Sequence, residues 1–123
     1  MSNDHFKFGM YLPELRLPFD ESLATAKEIG AEYVWFNRVP DGPPIAEMSD
    51  AEVDHMAERV DRHGLKMCLI SAGNSFKQIH LSDLNLQAMD DHPDFRKELN
   101  DLTRAMQIAA RLGVRAVGTF TFQ

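Results

Sequence analysis

The strongest constraint on the fold is a pattern that the chain repeats three times: an amphipathic stretch, a glycine and a short apolar run. The glycines are Gly30, Gly64 and Gly113, and the apolar runs after them extend to residues 36, 70 and 120. A glycine just past a helix readily adopts the left-handed conformation that ends it, and a short apolar run is typical of a buried strand. With a further strand predicted over 6–12, the order is β-α-β-α-β-α-β. We therefore expect an α/β fold with a parallel sheet and right-handed crossovers.

The three predicted helices are recognisable from their N-termini and their apolar faces. Asp20 and Glu21 lie in the first turn of the first helix, where acidic groups complement the helix dipole. Ser49 and Glu52 form a capping-box pattern before the second helix, and Pro93 suits the first turn of the third. The predicted buried faces are, in chain order, Phe19, Leu23, Ala26 and Ile29; Val53, Met56, Ala57 and Val60; and Phe95, Leu99, Leu102, Met106 and Ala109.

The length indicates how much of a larger architecture this βαβαβαβ unit represents. A complete (β/α)8 TIM barrel has about 250 residues, and this chain has 123. It also ends directly after the last predicted strand, with no helix to cover it. We expect residues 1–123 to be a single domain, the N-terminal half of a TIM barrel and a fragment of the whole. The alternative is a self-sufficient four-stranded domain whose open sheet edges would promote association.

Composition excludes several classes of function. The chain has 13 basic and 19 acidic residues and a formal charge of -6, so it lacks the basic surface that binds a phosphate backbone, and we expect no nucleic-acid partner. No apolar run reaches the length of about 18 residues that spans a bilayer, so we expect no membrane association. The single cysteine, Cys68, and an N-terminus unlike a signal peptide favour a cytoplasmic location.

Two clusters of polar residues superficially resemble metal sites. His55 and His63 are eight residues apart on one helix, which is more than about 10 Å along the axis and too far for one ion. The group at 90–94 precedes the third helix, where caps and negative charge are favoured. Phosphate-binding glycine loops and the nucleophile-elbow pattern are absent from the sequence.

The candidate site residues follow the first three predicted strands or lie in the fourth. Because the carboxyl ends of parallel strands meet at one mouth of a barrel, we expect these side chains to converge there. Aromatic faces together with amides and hydroxyls suit a polyhydroxylated ligand. The aromatic residues around strands two and four could equally belong to the core. The predicted substrate-binding residues are Tyr11, Glu14, Trp35, Asn37, Ser71, Asn74, Thr119 and Thr121.

The chain resembles the xylose-isomerase-like TIM-barrel family, often described as sugar phosphate isomerases and epimerases. The similar segments are 18–36 and 84–118. The closest match runs from Asn85-Leu86 through Arg96 to the Ala-Ala-x-Leu-Gly approach over 109–113. These motifs are structural, and they cover nearly the whole chain.

The resemblance implies a divalent-metal enzyme (Mn, Mg, Co or Zn) that abstracts a proton beside the carbonyl of a sugar or polyol. In the family the metal ligands come from the second half of the barrel, so we expect them beyond residue 123. Neither a catalytic residue nor a metal ligand is expected in this chain, which would be inactive alone and would supply pocket walls. Alternatives are a dehydratase or lyase on the same scaffold, or a non-catalytic half-barrel. The open edges favour a homo-oligomer.

Overall fold

Parallel strands alternate with helices along the chain, as the repeated pattern predicts. The computed structural model describes residues 6–40, 42–73 and 75–120. Its strands and helices are, in chain order, β1 (Gly9–Tyr11), α1 (Phe19–Ile29), β2 (Tyr33–Trp35), α2 (Asp50–Arg62), β3 (Lys66–Met67), β4 (Ile70–Ser71), α3 (Pro93–Leu112) and β5 (Val117–Gly118). Short 3-10 turns occupy Leu12–Leu15, Ile45–Glu47, Ser75–Gln78, Leu81–Asp83 and Met89–Asp91. The α/β class is confirmed, and the described part is consistent with a partial TIM barrel.

The sheet is parallel throughout, but the predicted third strand is not continuous. β1, β2 and β3 form one ladder in that order, and β4 pairs with β5 in a second ladder. The N–H of Cys68 donates to the carbonyl of Val34 beside β3 at 3.2 Å, whereas the N–H of Ile70 donates to Ala116 beside β5 at 3.0 Å. In a regular parallel strand, residues two apart bond to the same neighbour. The prediction of one strand over 65–70 is therefore wrong in detail, because an irregularity at 68–69 divides it.

The irregularity explains how the core is filled. Leu65 and Ile70 both belong to the buried core cluster, with 1% and 0% of their surface exposed. They are five residues apart, and an unbroken strand would point them to opposite faces. An extra residue between β3 and β4 reverses the alternation, as in a β-bulge, so that both side chains enter the core.

The helices begin where the sequence predicts. Ser49 and Glu52 form the capping box at α2, with Ser49 N–H to Glu52 Oε2 at 2.8 Å and Glu52 N–H to Ser49 Oγ at 3.2 Å. Before α3, the Nδ1 atom of His92 accepts from the N–H of Phe95 at 3.4 Å, which gives His92 the predicted capping role. Gly30, at φ +103°, ends α1 in the left-handed conformation.

The predicted buried faces are correct for most of α1 and α2 and wrong for part of α3. Ile29, in the last turn of α1, is 55% exposed, and Leu99 and Met106 on α3 are 40% and 57% exposed. Ala109 is buried as predicted, and the other buried residues of α3 are Ala105 and Ile108, which the predicted face omits. Small residues there allow α3 to approach β4 and β5 closely. The side of α3 that faces the core is therefore not the side that carries its largest apolar side chains.

In the described part of the chain, every helix is too short or too polar to cross a bilayer.

Candidate functional site

One face of the β1–β2–β3 ladder lies opposite the face that packs into the buried core. Its register pairs Gly9 with Tyr33 and Tyr11 with Trp35, and a Cβ built on Gly9 would lie 2.9 Å from the Sγ atom of Cys68. These five residues therefore share a face, which we call the open face. Its three aromatic side chains and Cys68 are half-buried.

The opposite face of the ladder packs into the core. Val34 and Phe36 have no exposed surface, and they alternate with Tyr33 and Trp35 along β2. The sequence alone does not decide whether these aromatic residues belong to the core or to a pocket. In the structure Phe36 belongs to the core, whereas Trp35 is half-buried on the open face. Phe120 is 46% exposed, and Phe122 lies outside the described residues.

At the carboxyl ends of β1 and β2, three predicted residues are in contact. The ring centroids of Tyr11 and Trp35 are 4.2 Å apart and their planes are tilted by 33°. The Tyr11 hydroxyl donates to the Oδ1 atom of Asn37 at 3.3 Å. This hydrogen bond leaves the amide NH2 of Asn37 available as a donor beside the two aromatic faces. We call these three residues the Tyr11 cluster.

Asn37 also lines a cavity of about 490 Å³, and Ser71 lies on the same cavity wall. Ser71 is 6% exposed, and its Oγ atom accepts from the N–H of Gly73 at 3.2 Å, which leaves the hydroxyl proton free to be donated. Two predicted residues, Asn37 after β2 and Ser71 in β4, therefore line one cavity. The cavity is of the size that holds small-molecule ligands.

The sequence reasoning missed the charged wall of this cavity. It is formed by four α3 residues and two residues from the connection after β2, and these are Asp94, Lys97, Glu98, Asp101, Arg38 and Glu47. The α3 positions recur at spacings of three, one and three, which places them on one side of a helix. This periodicity could have identified the charged wall from the sequence. Because α3 begins at the carboxyl edge of the sheet, the polar side of its first turns borders the strand ends.

Charge on this wall is partly compensated. The Nζ atom of Lys97 lies 2.6 Å from Asp101 Oδ2, and this hydrogen bond raises the pKa of Lys97. Partial burial raises the pKa of Glu98, and the nearby Asp101 and Asp94 carboxylates add to the shift while Lys97 opposes it. The Glu98 carboxyl group therefore retains its proton more readily than an ordinary glutamate.

The remaining predicted residues do not join these groups. Glu14 is exposed in the 3-10 turn Leu12–Leu15. Thr119 is also exposed, and its hydroxyl donates to the carbonyl of Phe120 at 3.5 Å. Neither residue lines the cavity described above. Asn74 and Thr121 lie outside the described residues.

The described residues do not fit the metal that the family resemblance implies. Within 6–40, 42–73 and 75–120, no three His, Cys, Asp or Glu side chains could hold one ion. His63 instead approaches α1, with its Nε2 atom 3.4 Å from Asp20 Oδ1. The Cys68 thiol donates to the carbonyl of Val34 at 3.6 Å, and burial raises its pKa, so it remains protonated more readily than an ordinary cysteine.

A family model described as xylose isomerase-like TIM barrel matches residues 23–121, which extend from within α1 past β5. No curated protein shows significant sequence similarity to the chain.

Proposed function

Because the chain belongs to the xylose isomerase-like TIM barrel family, we propose that it forms the N-terminal part of a divalent-metal-dependent isomerase or epimerase of a sugar or related polyol. The observation that carries this proposal is the Tyr11 cluster. It lies at the carboxyl ends of β1 and β2, on the side of the sheet opposite the core. In β/α barrels, substrates bind at this end of the strands.

The chemistry of the cluster suits a polyol. The rings of Tyr11 and Trp35 present apolar faces for C–H groups, and the Asn37 amide can donate to substrate hydroxyls. Ser71, in β4, supplies a second donor through its free hydroxyl proton. These residues bind and orient the substrate, and none of them is assigned a proton transfer.

In this proposal, the catalytic groups are not among the residues of the Tyr11 cluster or Ser71. As the resemblance to the family implies, the metal ligands and the acid–base carboxylates would be supplied by residues beyond 123. A divalent metal bound by such residues would supply Lewis-acid chemistry that makes the C–H group beside the substrate carbonyl more acidic. This chain contributes walls of the substrate pocket.

Trp35 provides a direct test, because it is the only tryptophan of the chain. Titration with neutral aldoses, ketoses and alditols should produce a saturable change in its fluorescence emission. Asn37→Ala should weaken this binding about fivefold, the effect of losing one net hydrogen bond of about 1 kcal/mol. Tyr33→Phe is the matched control, since Tyr33 lies on the open face two residues before Trp35. The pocket assignment is wrong if no polyol changes the emission, or if both variants weaken binding equally.

The proposed isomerase or epimerase activity is tested on the protein isolated from its native source. With Mn²⁺ added, carbon-bound hydrogen of a bound sugar should exchange with deuterium from D2O, as followed by proton NMR. Asn37→Ala should raise KM more than it lowers kcat, because Asn37 binds the substrate without moving a proton. Metal-independent exchange, or a loss confined to kcat, would contradict the assigned roles.

A further inference from the structure

The charged wall of the cavity beside Asn37 and Ser71 carries more negative than positive groups. Four carboxylates line this cavity of about 490 Å³, against the two cationic side chains of Arg38 and Lys97. Lys97 is already engaged, because its Nζ atom lies 2.6 Å from Asp101 Oδ2. The cavity therefore presents an excess of negative charge at the strand ends.

Two carboxylates of this wall, Asp94 and Glu98, form no ion pair with any described residue. They are four residues apart, which places them on adjacent turns of the same side of α3. Glu98 is half-buried. Burial is the main cause of its raised pKa, Lys97 opposes the shift, and repulsion by Asp101 and Asp94 adds to it. Because like charges shift a pKa only when they are close, these three carboxylates lie near one another on the cavity wall.

The same cavity holds an independent indication of a ligand. The Ser71 side chain is 6% exposed, and its hydroxyl proton has no acceptor among the described residues, since its Oγ atom only accepts from Gly73. A buried polar hydrogen without an acceptor costs free energy, which a ligand oxygen in the cavity would recover. The amide NH2 of Asn37 is a second donor on this cavity. The lining thus combines donors for oxygen atoms with carboxylates for a cation.

The spacing of the carboxylates favours an organic cation. Within 6–40, 42–73 and 75–120, no three acidic, histidine or cysteine side chains could hold one metal ion. A divalent metal requires oxygen ligands at about 2.0–2.6 Å, whereas an ammonium group is held at about 2.7–2.9 Å through separate N–H donors. Carboxylates that are near one another but too widely spaced for a metal suit the larger cation.

We propose that this cavity binds an amino polyol, whose ammonium group is held by Glu98 and Asp94 while Ser71 and Asn37 donate to its neighbouring oxygen atoms. Charge-assisted hydrogen bonds from the ammonium group replace the repulsion between the two carboxylates with attraction. Because Asn37 belongs to both the cavity lining and the Tyr11 cluster, the carbon chain of the ligand lies between them. The inference rests on the proposed function and names the substrate class of that site.

Glucosamine, glucose and N-acetylglucosamine are the probes, each titrated into the 123-residue chain at about pH 6.5, where an amine is protonated. Backbone amide NMR at Ser71 and Glu98 reports on the cavity, and Trp35 fluorescence reports on the Tyr11 cluster. Glucosamine should bind about tenfold more tightly than glucose, the effect of hydrogen bonds between charged groups. N-acetylglucosamine, whose nitrogen is a neutral amide, should lack this advantage.

Glu98→Gln keeps the size of the side chain and removes its charge, so the advantage of glucosamine over glucose should disappear. Asp94→Asn should reduce it by a smaller factor, because Asp94 is exposed and more strongly screened by water. Glu28→Gln is the matched control: Glu28 is exposed on α1, does not line the cavity and changes the net charge equally. Circular dichroism checks that each variant keeps the fold.

Equal binding of glucosamine and glucose would overturn the proposal. So would a loss of the advantage in Glu28→Gln as large as in Glu98→Gln, because it would show a general attraction of cations to an acidic chain. If glucose perturbs Trp35 and glucosamine gains nothing, the ammonium site is wrong and the polyol pocket stands. If glucosamine shifts the Glu98 amide and neither sugar perturbs Trp35, the ammonium site stands and the polyol pocket at the Tyr11 cluster is wrong.

Discussion

At the scale of single residues, the packing of the open face leaves no room for a side chain at Gly9. A Cβ atom there would lie 2.9 Å from Cys68 Sγ and 3.4 Å from Tyr33 Cβ. We expect Gly9→Ala to lower the free energy of unfolding by about 1–3 kcal/mol, because overpacking displaces neighbouring groups. Urea denaturation measures this loss. In a Cys68→Ala background the same substitution should cost much less, and an equal cost in both backgrounds would show that the Sγ contact is not responsible.

Prediction from the sequence brought the right residues together where the position along a strand determines which way a side chain points. Tyr11, Trp35 and Asn37 were identified because they follow strands, and the structure brings them together. Whether these residues bind substrate stays a prediction. The charged wall of the cavity was not identified, because Lys97 and Glu98 reach it from α3. Which side of a helix borders a strand end depends on how the helix is rotated against the sheet.

At the scale of elements, α1 and α2 are joined by an exposed ionic contact. Arg59 donates to Asp20 at 2.9 Å and stacks over the Phe19 ring at 4.6 Å. The Arg59 hydrogen bond lowers the pKa of Asp20; partial burial opposes the shift, and His63 adds a smaller lowering. The folded chain therefore binds fewer protons at this site than the unfolded chain, whose carboxyl has a pKa of about 3.9. The resulting stabilisation is complete above about pH 5 and is lost as the pH falls through the folded pKa.

Asp20→Asn should consequently destabilise the chain at pH 7 by less than about 1 kcal/mol, because the pair is exposed and screened by solvent. The difference from the unsubstituted chain should shrink towards zero at acid pH. Urea unfolding at several pH values provides the measurement. Asp61→Asn serves as the control, since Asp61 is exposed on α2 and forms no ion pair with a described residue. An equal pH dependence for both variants would contradict the role of the Arg59 contact.

Element boundaries could be predicted wherever a local chemical signal marks them. The capping box at Ser49 and the first-turn proline at Pro93 each lie where a helix begins. The break at 68–69 has no such signal, because its residues are apolar like most of the run from 65 to 70. It is imposed by tertiary structure: one segment must pair with β2 on one side and with β5 on the other while burying both Leu65 and Ile70.

At the scale of the whole molecule, the order of elements was the most predictable property, and the closure of the sheet was the least. The glycine-led repeats predict parallel strands joined by helices, and the family match agrees with the barrel to which such units belong. Closure depends on strands that pair with β1 and β5. Within the described residues, each of these strands has a neighbour on one side only.

These two edges support a prediction about association. The chain provides four strand positions if β3 and β4 are counted as one, and a closed barrel needs eight. Two copies related by a twofold axis could pair β1 of each with β5 of the other and supply that number. Unpaired edges with exposed apolar neighbours favour such pairing, and Phe8, 47% exposed, immediately precedes β1.

We therefore expect the isolated chain to self-associate reversibly, with light scattering after size exclusion approaching twice the 14.0 kDa of one chain as concentration rises. Phe8→Lys should shift this equilibrium towards the monomer, because a charge beside the β1 edge must be desolvated when a second strand pairs with it. Leu86→Lys is the matched control: Leu86 is 75% exposed in the connection between β4 and α3, away from either edge strand in sequence. A monomer at all concentrations, or equal weakening by both substitutions, would exclude these edges as the interface. Association that is weakened by Phe8→Lys and not by Leu86→Lys would support an interface between copies at the β1 edge.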